Sequence, residues 1–249
     1  MLKTLINRKT IRKYTEKDVS PGLLDELLNA ACRSSTTGNM QVYSIIETRD
    51  SSMKKKLAPC HFNQPMVEQA PVLLTFCADF NRFNRWCRQR KADPGYDNFL
   101  SFMTASIDAI IAAQTFCVAA EEKGLGICYL GTTTYMAEKI IEILELPAGV
   151  VPVTTITMGW PAEDPEQVDR LPLEAIVHRE KYHDYSEKDI DKYYAEKEAR
   201  EDTKQFIEEN ELETLAQVFT NVRYKKSDNE TFSKLLLDVL KKQGFMQIS

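Results

Sequence analysis

The sequence has few residues that could hold a metal ion or act as a catalytic nucleophile. It contains three histidines and six cysteines in 249 residues, and no two cysteines form a Cys-x-x-Cys pair. Zinc sites typically require ligands at such close spacings. No Ser/His/Asp or Cys/His arrangement is recognisable either. The sequence therefore predicts neither a metal site nor a side chain that forms a covalent intermediate.

Charge and cysteine placement exclude further classes of protein. The formal net charge is -5, whereas proteins that bind nucleic acids usually present a net basic face. The first residues lack the long apolar stretch of a signal peptide. Cys77, Cys117 and Cys128 lie in apolar runs and are typical of reduced core residues. We therefore expect a cytoplasmic protein that does not bind nucleic acid.

One segment is apolar enough to require comparison with a membrane span. Residues 102–120 are nearly uncharged and long enough to cross a bilayer. Asp108 lies in the middle, where a charge is costly in lipid. The small Ala and Ser residues favour close packing of a helix in a soluble core or a dimer. We therefore predict a buried helix and no membrane partner.

Apolar spacing and turn residues predict an irregular alternation of helices and strands. Ser20 caps a helix that begins at Pro21. Further helices are predicted at 51–57, 98–123, 138–146, 186–209 and 230–242, and strands at 42–48, 72–77, 127–130 and 151–158. This order favours a mixed α/β sandwich over a regular βαβ series. We expect a compact core over residues 1–183 and a charged helical extension over 184–249, packed on the core or on a partner subunit within a single domain.

A basic cluster lies near the N-terminus of this acidic chain. It consists of Arg8, Lys9, Thr10, Ile11 and Arg12. Guanidinium groups are planar, permanently charged donors that suit phosphate oxygens. A local basic site in an acidic protein indicates a small anionic ligand. The alternative is an exposed basic helix end, since most charge clusters are only solvated.

Four more segments extend the pattern of this cluster. Together the five segments are 8–14, 34–41, 76–82, 124–131 and 158–161, the last followed by 170–172. Their order and spacing resemble the flavin-dependent nitroreductase family, and most of all its NADPH-preferring branch of nitroreductases and flavin reductases. The ending at 242–245 resembles that branch as well.

This resemblance implies an α+β fold, a cofactor and a reaction. The expected architecture is a three-layer α/β/α sandwich with a mainly antiparallel central sheet and a C-terminal helical extension. Family members are homodimers that bind FMN without a covalent link at the subunit interface. The implied reaction is ping-pong: hydride passes from NADPH or NADH to flavin N5, and two electrons then pass to a nitroaromatic, quinone or flavin acceptor. Because the flavin performs the chemistry, the lack of a nucleophile agrees with this reaction.

The resemblance also assigns residues to the FMN site. The predicted residues are Arg8, Lys9, Thr10, Arg12, Thr36, Met40, Gln64, Tyr129, Leu130, Gly131, Thr132 and Arg170. Arg8 and Arg170 would hold the phosphate, with Thr10 at the ribityl or phosphate region. Arg12 would lie near N1 and O2 of the ring, where a cation favours the charge of the reduced flavin.

The remaining assignments come from loops. Thr36 and the Met40 backbone belong to a Ser/Thr loop, and Gln64 would contact the pyrimidine edge, because an amide both donates and accepts. The backbone of residues 129–132 would lie near N5, and Gly131 has no Cβ to prevent close approach. Without the resemblance, Thr36 and Gln64 are explained equally well as loop or turn residues, and Tyr129 as a core residue.

Two departures from the branch leave alternatives open. The branch usually carries a lysine where Val168 stands, so one phosphate contact is missing unless Lys9 supplies it. Arg223 and Lys225 fall where the branch binds the 2′-phosphate of NADPH, but acidic residues follow them, so either nicotinamide is predicted. The chain could instead be an FMN store or sensor with little reductase activity, or a flavinless relative that binds another phosphorylated metabolite.

Overall fold

The computed structural model describes residues 2–247. The helices are α1 (Leu2–Ile6), α2 (Pro21–Ala31), α3 (Ser51–Leu57), α4 (Met66–Gln69), α5 (Asn81–Gln89), α6 (Phe99–Glu122), α7 (Ala137–Ile143), α8 (Glu187–Ala199), α9 (Glu201–Glu209), α10 (Leu215–Val218) and α11 (Lys226–Lys242). The strands are β1 (Tyr43–Thr48), β2 (Val72–Asp79), β3 (Gly126–Leu130) and β4 (Val150–Gly159). The four predicted strands are therefore confirmed to within two residues at each end.

The strands form one antiparallel sheet in the order β1-β2-β4-β3. β2 and β4 occupy its centre, in a register that pairs Val72 with Met158 and Leu74 with Ile156. Every residue of β2 is buried. A strand covered on both faces reads as a continuous apolar run, as this one does in the sequence. The antiparallel sheet predicted for this fold class is confirmed.

Helices cover both faces of the sheet, because successive side chains of a strand point to opposite sides. On one face, Leu74, Phe76 and Ile127 pack with the buried residues of α2 and α6. On the other face, Leu73 and Leu130 pack with side chains of α3, α4 and α7. The result is the expected three-layer sandwich.

The long apolar helix α6 is the central helix of the first face. Asn98 caps it, since its side-chain oxygen accepts the backbone N–H of Ser101 at 3.1 Å, and Gly124 (φ 81°) follows its end. By length and composition α6 is able to span a membrane, but half of its most apolar window is buried inside the fold. Its alanines lie against the sheet, as predicted for a buried helix.

The described chain divides into two compact units. One comprises the residues up to 166 together with those from 232 onward, and the other comprises residues 167–231. The unit boundaries differ from residue 183 because the last part of α11 packs its Val239 and Leu240 with Phe80 and Phe102 of the first unit. A single domain with a boundary at residue 183 stays a prediction.

The helical predictions differ from the structure in several places, and the short helices α1, α4 and α10 were not predicted. Helix α5 was not predicted, although Phe80, Phe83 and Cys87 have helical spacing. The helix expected at 186–209 is broken at Arg200, whose extended backbone (ψ 146°) separates α8 from α9. Helix α7 ends three residues before the predicted 146, and α11 begins four residues before the predicted 230.

Candidate functional site

The basic cluster lies on an extended segment beside β3 and is not a helix end. The N–H of Ile11 donates to the carbonyl of Ile127 at 3.1 Å, and the Tyr14 hydroxyl donates to the Ile11 carbonyl at 2.8 Å. Gly126 allows this approach, because a Cβ there would lie 2.6 Å from the Ile11 side chain. Ile11 is buried, whereas Arg12 is exposed. Two predicted FMN-binding segments, 8–12 and 129–132, thus lie along the same strand.

Carboxylates accompany the cations of the cluster. Arg8 Nε lies 3.3 Å from Glu121 Oε1, and Lys9 Nζ lies 2.7 Å from Asp164 Oδ1. The backbone N–H groups of Arg12 and Lys13 both donate to Glu163 Oε1, at 2.6 and 3.0 Å. The positive charge of the cluster is therefore partly compensated. The sequence does not show this, because the carboxylates lie more than 100 positions away from the cluster. Thr10 lies half buried between these cations.

Glu121 is the most constrained of these carboxylates. Its side chain is 10% exposed, and neither carboxylate oxygen has a hydrogen-bond partner among residues 2–247. The contact with Arg8 is thus an ion pair without hydrogen-bond geometry. Burial raises the pKa of Glu121, and the Arg8 charge opposes that rise. Both groups line a cavity of about 340 Å³ beside α1.

Cys128 shows that Arg8 and Arg12 lie near the same part of β3. Burial raises the pKa of the Cys128 thiol, while the charges of Arg12 and Arg8 oppose the rise. The thiol is 3% exposed. It is a buried structural thiol, since reactive cysteines are partly exposed and have a lowered pKa.

The predicted N5 loop leaves β3 with alternating side chains. Tyr129 faces α6, where its hydroxyl donates to Gln114 at 3.3 Å, and burial raises its pKa. Leu130 is buried in the opposite layer. Gly131 is exposed, and within the described part of the chain a Cβ there would meet no heavy atom within 4 Å. The Leu130 side chain is thus part of the core, and the half-buried Tyr129 side chain packs against the other core layer. A flavin contact from the backbone of these two residues stays a prediction.

Gln64 and Thr132 both bond to His61. Gln64 Nε2 donates to the His61 carbonyl at 3.0 Å, and His61 Nδ1 lies 2.8 Å from Thr132 Oγ1. The structure therefore brings together two predicted ring contacts that are far apart in sequence. The sequence reasoning did not consider His61. The one indication in the sequence was that His61 lies three residues before Gln64, a spacing at which the two residues can contact each other in a turn.

His61 is a neutral histidine at physiological pH. It is 1% exposed, and burial lowers its pKa to about 4. Among the described residues its Nε2 has no hydrogen-bond partner. Burial of an unpaired polar atom costs free energy, and this cost is smaller for an unused lone pair than for an N–H without an acceptor.

Because His61 is buried in its neutral form, we expect the protein to lose stability in acid. The ordinary pKa of 6.5 applies to the unfolded chain and about 4 to the folded chain, so the unfolded chain binds more protons between these values. The free energy of unfolding is therefore unaffected by this histidine above pH 6.5. It falls as the pH drops towards 4, by on the order of 3 kcal/mol. Urea unfolding from pH 4.5 to 7.5 measures this, and His61→Leu should flatten the slope. Equal slopes in both proteins would contradict the assignment.

The Ser/Thr loop is held by α6. Both the N–H and the hydroxyl of Thr37 donate to Asp108 Oδ1, at 3.0 and 3.2 Å. Thr36 precedes the short 3-10 turn Thr37–Asn39, and the Met40 N–H closes that turn on the Thr37 carbonyl at 2.9 Å. Asp108, which the sequence reasoning weighed only against a membrane span, therefore positions this predicted FMN-binding loop.

The other predicted residues belong to the second unit. Arg170 is exposed and donates to the carbonyls of Val168 and Asp169 at 3.4 and 2.8 Å. The Arg223 guanidinium lies 4.3 Å from the Phe206 ring centroid, a cation–π contact that leaves its N–H edge available. Lys225 is exposed at the start of α11. Each of these cations remains a predicted phosphate contact.

A partly exposed aromatic cluster flanks the His61–Thr132 pair. Tyr135 stacks on Phe232 with ring centroids 4.4 Å apart, and Phe62 lies 6.3 Å from Phe232. Phe62 follows His61, and the Tyr135 N–H donates to the Thr132 carbonyl at 3.1 Å. This cluster has no local signal in the sequence, because its members come from three distant segments.

Comparison with known proteins decides the family. The family model described as "Nitroreductase family" matches residues 5–160, which includes the basic cluster, the Ser/Thr loop and the whole sheet. The chain belongs to the nitroreductase family. The resemblance inferred from the five segments is thereby confirmed.

Individual relatives of this nitroreductase-family protein cover most of it. FMN reductase (NADPH) of Bacillus subtilis is 34% identical over 183 residues, which is 73% of this chain and 74% of that protein. A crystal structure from Bacteroides fragilis NCTC 9343 is 58% identical, with a TM-score of 0.97 over 98% of this chain and 100% of that chain. The NfrA1 nitroreductase structure from Bacillus subtilis has 29% identity and a TM-score of 0.85, and covers 98% of both chains.

Proposed function

We propose that this nitroreductase-family enzyme binds FMN and transfers two electrons from NADPH or NADH to nitroaromatic, quinone or flavin acceptors by a ping-pong mechanism. The observation that carries the proposal is the hydrogen bond between Ile11 and Ile127, which lays the basic cluster along the strand that leads into Gly131. Groups suited to a phosphate and to a flavin ring are thus held by the same strand. Relatives named as an NADPH-dependent FMN reductase and as a nitroreductase support the same activity.

The residues present fit FMN. The space beside the Gly131 backbone is open to a planar ring, since within residues 2–247 nothing lies where a Cβ would be. Gln64 uses one amide hydrogen on the His61 carbonyl, which leaves its Oε1 and its second N–H for a ligand with alternating donors and acceptors. Arg8 and Lys9 supply cations for a phosphate with about two negative charges. Arg170 stays a separately proposed phosphate contact, and Thr10 is proposed to add a hydroxyl.

When bound, FMN accepts hydride at N5 and returns two electrons to the acceptor. The protein's own residues bind and orient the reacting molecules. Arg12 is exposed, its backbone N–H is held by Glu163, and its side chain lies near the Cys128 thiol of β3. We place its guanidinium at the ring edge that gains negative charge. A fixed cation at that edge favours hydride acceptance. Thr36 and Met40 would line the site from the loop that Asp108 holds.

The proposal is tested by colour and by anaerobic reduction. The purified protein should be yellow, and NADPH or NADH should bleach it without oxygen. The ping-pong order would be supported if nicotinamide alone reduces the protein and if an acceptor, added after the nicotinamide has been removed, reoxidises it. A yellow protein that neither nicotinamide bleaches would favour the FMN store or sensor. A colourless protein that ignores added FMN would remove the flavin hypothesis.

We also propose that the protein is a homodimer in the cytoplasm. α6 exposes a row of large apolar side chains at helical spacing, which are Phe99, Leu100, Met103, Ile107, Ile110 and Ile111. A contiguous apolar row on a protein surface is typical of an interface. A partner copy that covered it would bring a second Ser/Thr loop towards the site, because that loop is bonded to α6. The six cysteines, all within the described residues, are free thiols, which suits the cytoplasm.

Ile110→Asp should dissociate the dimer. The side chain is 49% exposed, and a carboxylate buried at an interface without a partner costs several kcal/mol, so the dimer dissociation constant should rise about 100-fold or more. Sedimentation equilibrium measures this change. Trp86→Asp is the control, because Trp86 is 54% exposed and lies on α5, outside α6 and outside the predicted extension. A dimer that Ile110→Asp leaves intact would show that this face of α6 is not the interface.

A further inference from the structure

The buried residue His61 is hydrogen-bonded to two of the residues proposed at the flavin ring, to one through its imidazole and to the other through its backbone carbonyl. The side chain of His61 reaches Thr132, with 2.8 Å between Nδ1 and Oγ1. Its carbonyl oxygen accepts both the backbone N–H of Gln64, at 3.2 Å, and the Gln64 side-chain amide, at 3.0 Å. A single residue therefore fixes the start of the Gly131–Thr132 loop and the orientation of the Gln64 amide.

The backbone around His61 is shaped to make these bonds. His61 ends the 3-10 turn Ala58–His61, and the next residues, Phe62 and Asn63, have φ angles of 54° and 53°. Two successive left-handed residues that are not glycine are uncommon. They reverse the chain so that Gln64 returns to the His61 carbonyl. Such a conformation persists only where the surroundings hold it, and this is often at a functional site.

The hydrogen-bond inventory decides which nitrogen of His61 carries the proton. A neutral imidazole has one donor and one acceptor nitrogen. Within residues 2–247, Nε2 has no partner, and a buried N–H without an acceptor is less tolerable than an unused lone pair. The proton therefore lies on Nδ1, which donates to Thr132 Oγ1. The Thr132 hydroxyl then keeps its own hydrogen to donate elsewhere.

We propose that His61 is a positioning residue for the flavin ring: its Nδ1–H holds Thr132 with the hydroxyl hydrogen directed to the ligand, and its carbonyl holds Gln64. The proposal rests on the proposed function. It differs from the contacts implied by the family resemblance, because His61 acts on the ring only through these two residues.

The first test needs no flavin. Nitrogen-detected NMR of the apo-protein at pH 7 should show the Nδ1–H tautomer of His61. Finding the Nε2–H tautomer or a charged ring would overturn the assignment of the Thr132 hydroxyl. Hydrogen exchange of the Tyr135 and Met136 amides, which donate to the Thr132 carbonyl at 3.1 and 3.2 Å, should be faster in His61→Leu than in the wild type, and an unchanged rate would oppose a positioning role.

The second test measures FMN affinity of the apo-protein by fluorescence titration. His61→Leu should weaken binding about tenfold, the equivalent of one lost hydrogen bond. His61→Asn places an amide near the Nδ1 position and should restore most of the affinity, whereas His183→Leu, a matched change at an exposed histidine, should have no effect. Thermal melts of each variant show whether it is folded.

A double-mutant cycle separates positioning from general damage. If His61 acts through Thr132, then Thr132→Val and the double variant should lose the same affinity, because one interaction is removed in both. Additive losses would overturn that route. A wild type that does not bind FMN would refute the proposed function itself, while a wild type that binds FMN as tightly as His61→Leu would refute only the role of His61.

Discussion

Arg8→Ala should weaken FMN binding about 100-fold, the largest loss expected from any single change. A charge-assisted hydrogen bond to phosphate accounts for part of this factor. The structure adds a second cause, because Glu121 lies 3.3 Å from Arg8 and is 10% exposed. Without Arg8 this carboxylate would lose its ion-pair partner, and any negative charge that it kept would repel the phosphate. Fluorescence titration of the apo-variant with FMN measures the loss.

Variants at Glu121 separate the two causes. Arg8→Lys keeps a positive charge and should retain most of the affinity. Glu121→Gln alone should leave FMN binding unchanged or tighter, because a competitor for Arg8 is removed. If the double variant Arg8→Ala/Glu121→Gln stays weak, the lost phosphate contact dominates, and if it recovers, repulsion by Glu121 dominates. An Arg8→Ala protein that keeps its FMN would remove Arg8 from the phosphate site.

Arg12→Ala should slow the reduction of bound flavin by NADPH about 100-fold, with little change in FMN affinity. Loss of one preorganised group at a developing charge typically costs that much in rate. The segment should keep its path, because Arg12 is anchored through its backbone N–H to Glu163 and its neighbour Ile11 through its N–H to Ile127. Anaerobic stopped-flow absorbance measures the rate.

Lys13→Ala provides the matched control for Arg12→Ala. Lys13 is the next residue, is also exposed, and its N–H donates to the same Glu163 oxygen at 3.0 Å. Its removal should leave the reduction rate within a few-fold of the wild type. If Arg12→Ala instead releases FMN while Arg8→Ala slows reduction, the placement of the two arginines is reversed.

Much of the fold could be predicted because its signals are local. β2 is an unbroken apolar run, and a strand buried on both faces needs that composition. The length of the apolar segment, the Asn98 cap and the glycine after its end predict α6. The break at Arg200 and the early start of α11 were missed, since polar helical sequence continues through both positions and only packing ends or extends such a helix.

The segments that form the candidate site could be predicted from the sequence, but the contacts between their residues could not. Arg8, Arg12 and Gly131 carry enough of a motif to be found one by one. The residues that hold or balance them, Glu121 and His61, carry none. A buried carboxylate and a buried histidine look like ordinary surface residues in a sequence, because their burial depends on which distant side chains cover them.

The sequence by itself determined the positions of the four apolar strands, the core helix, the family and the identity of the cations proposed for FMN. Composition and spacing suffice for these features because each is a property of neighbouring residues. Only the tertiary structure decided which carboxylates accompany the cations, and that Gln64 bonds to the backbone carbonyl and Thr132 to the imidazole of the same buried histidine, His61. Those features depend on distances between residues up to 155 positions apart, as in the Lys9–Asp164 pair, and on burial, which lowers the pKa of His61 and raises the pKa of Glu121 through desolvation.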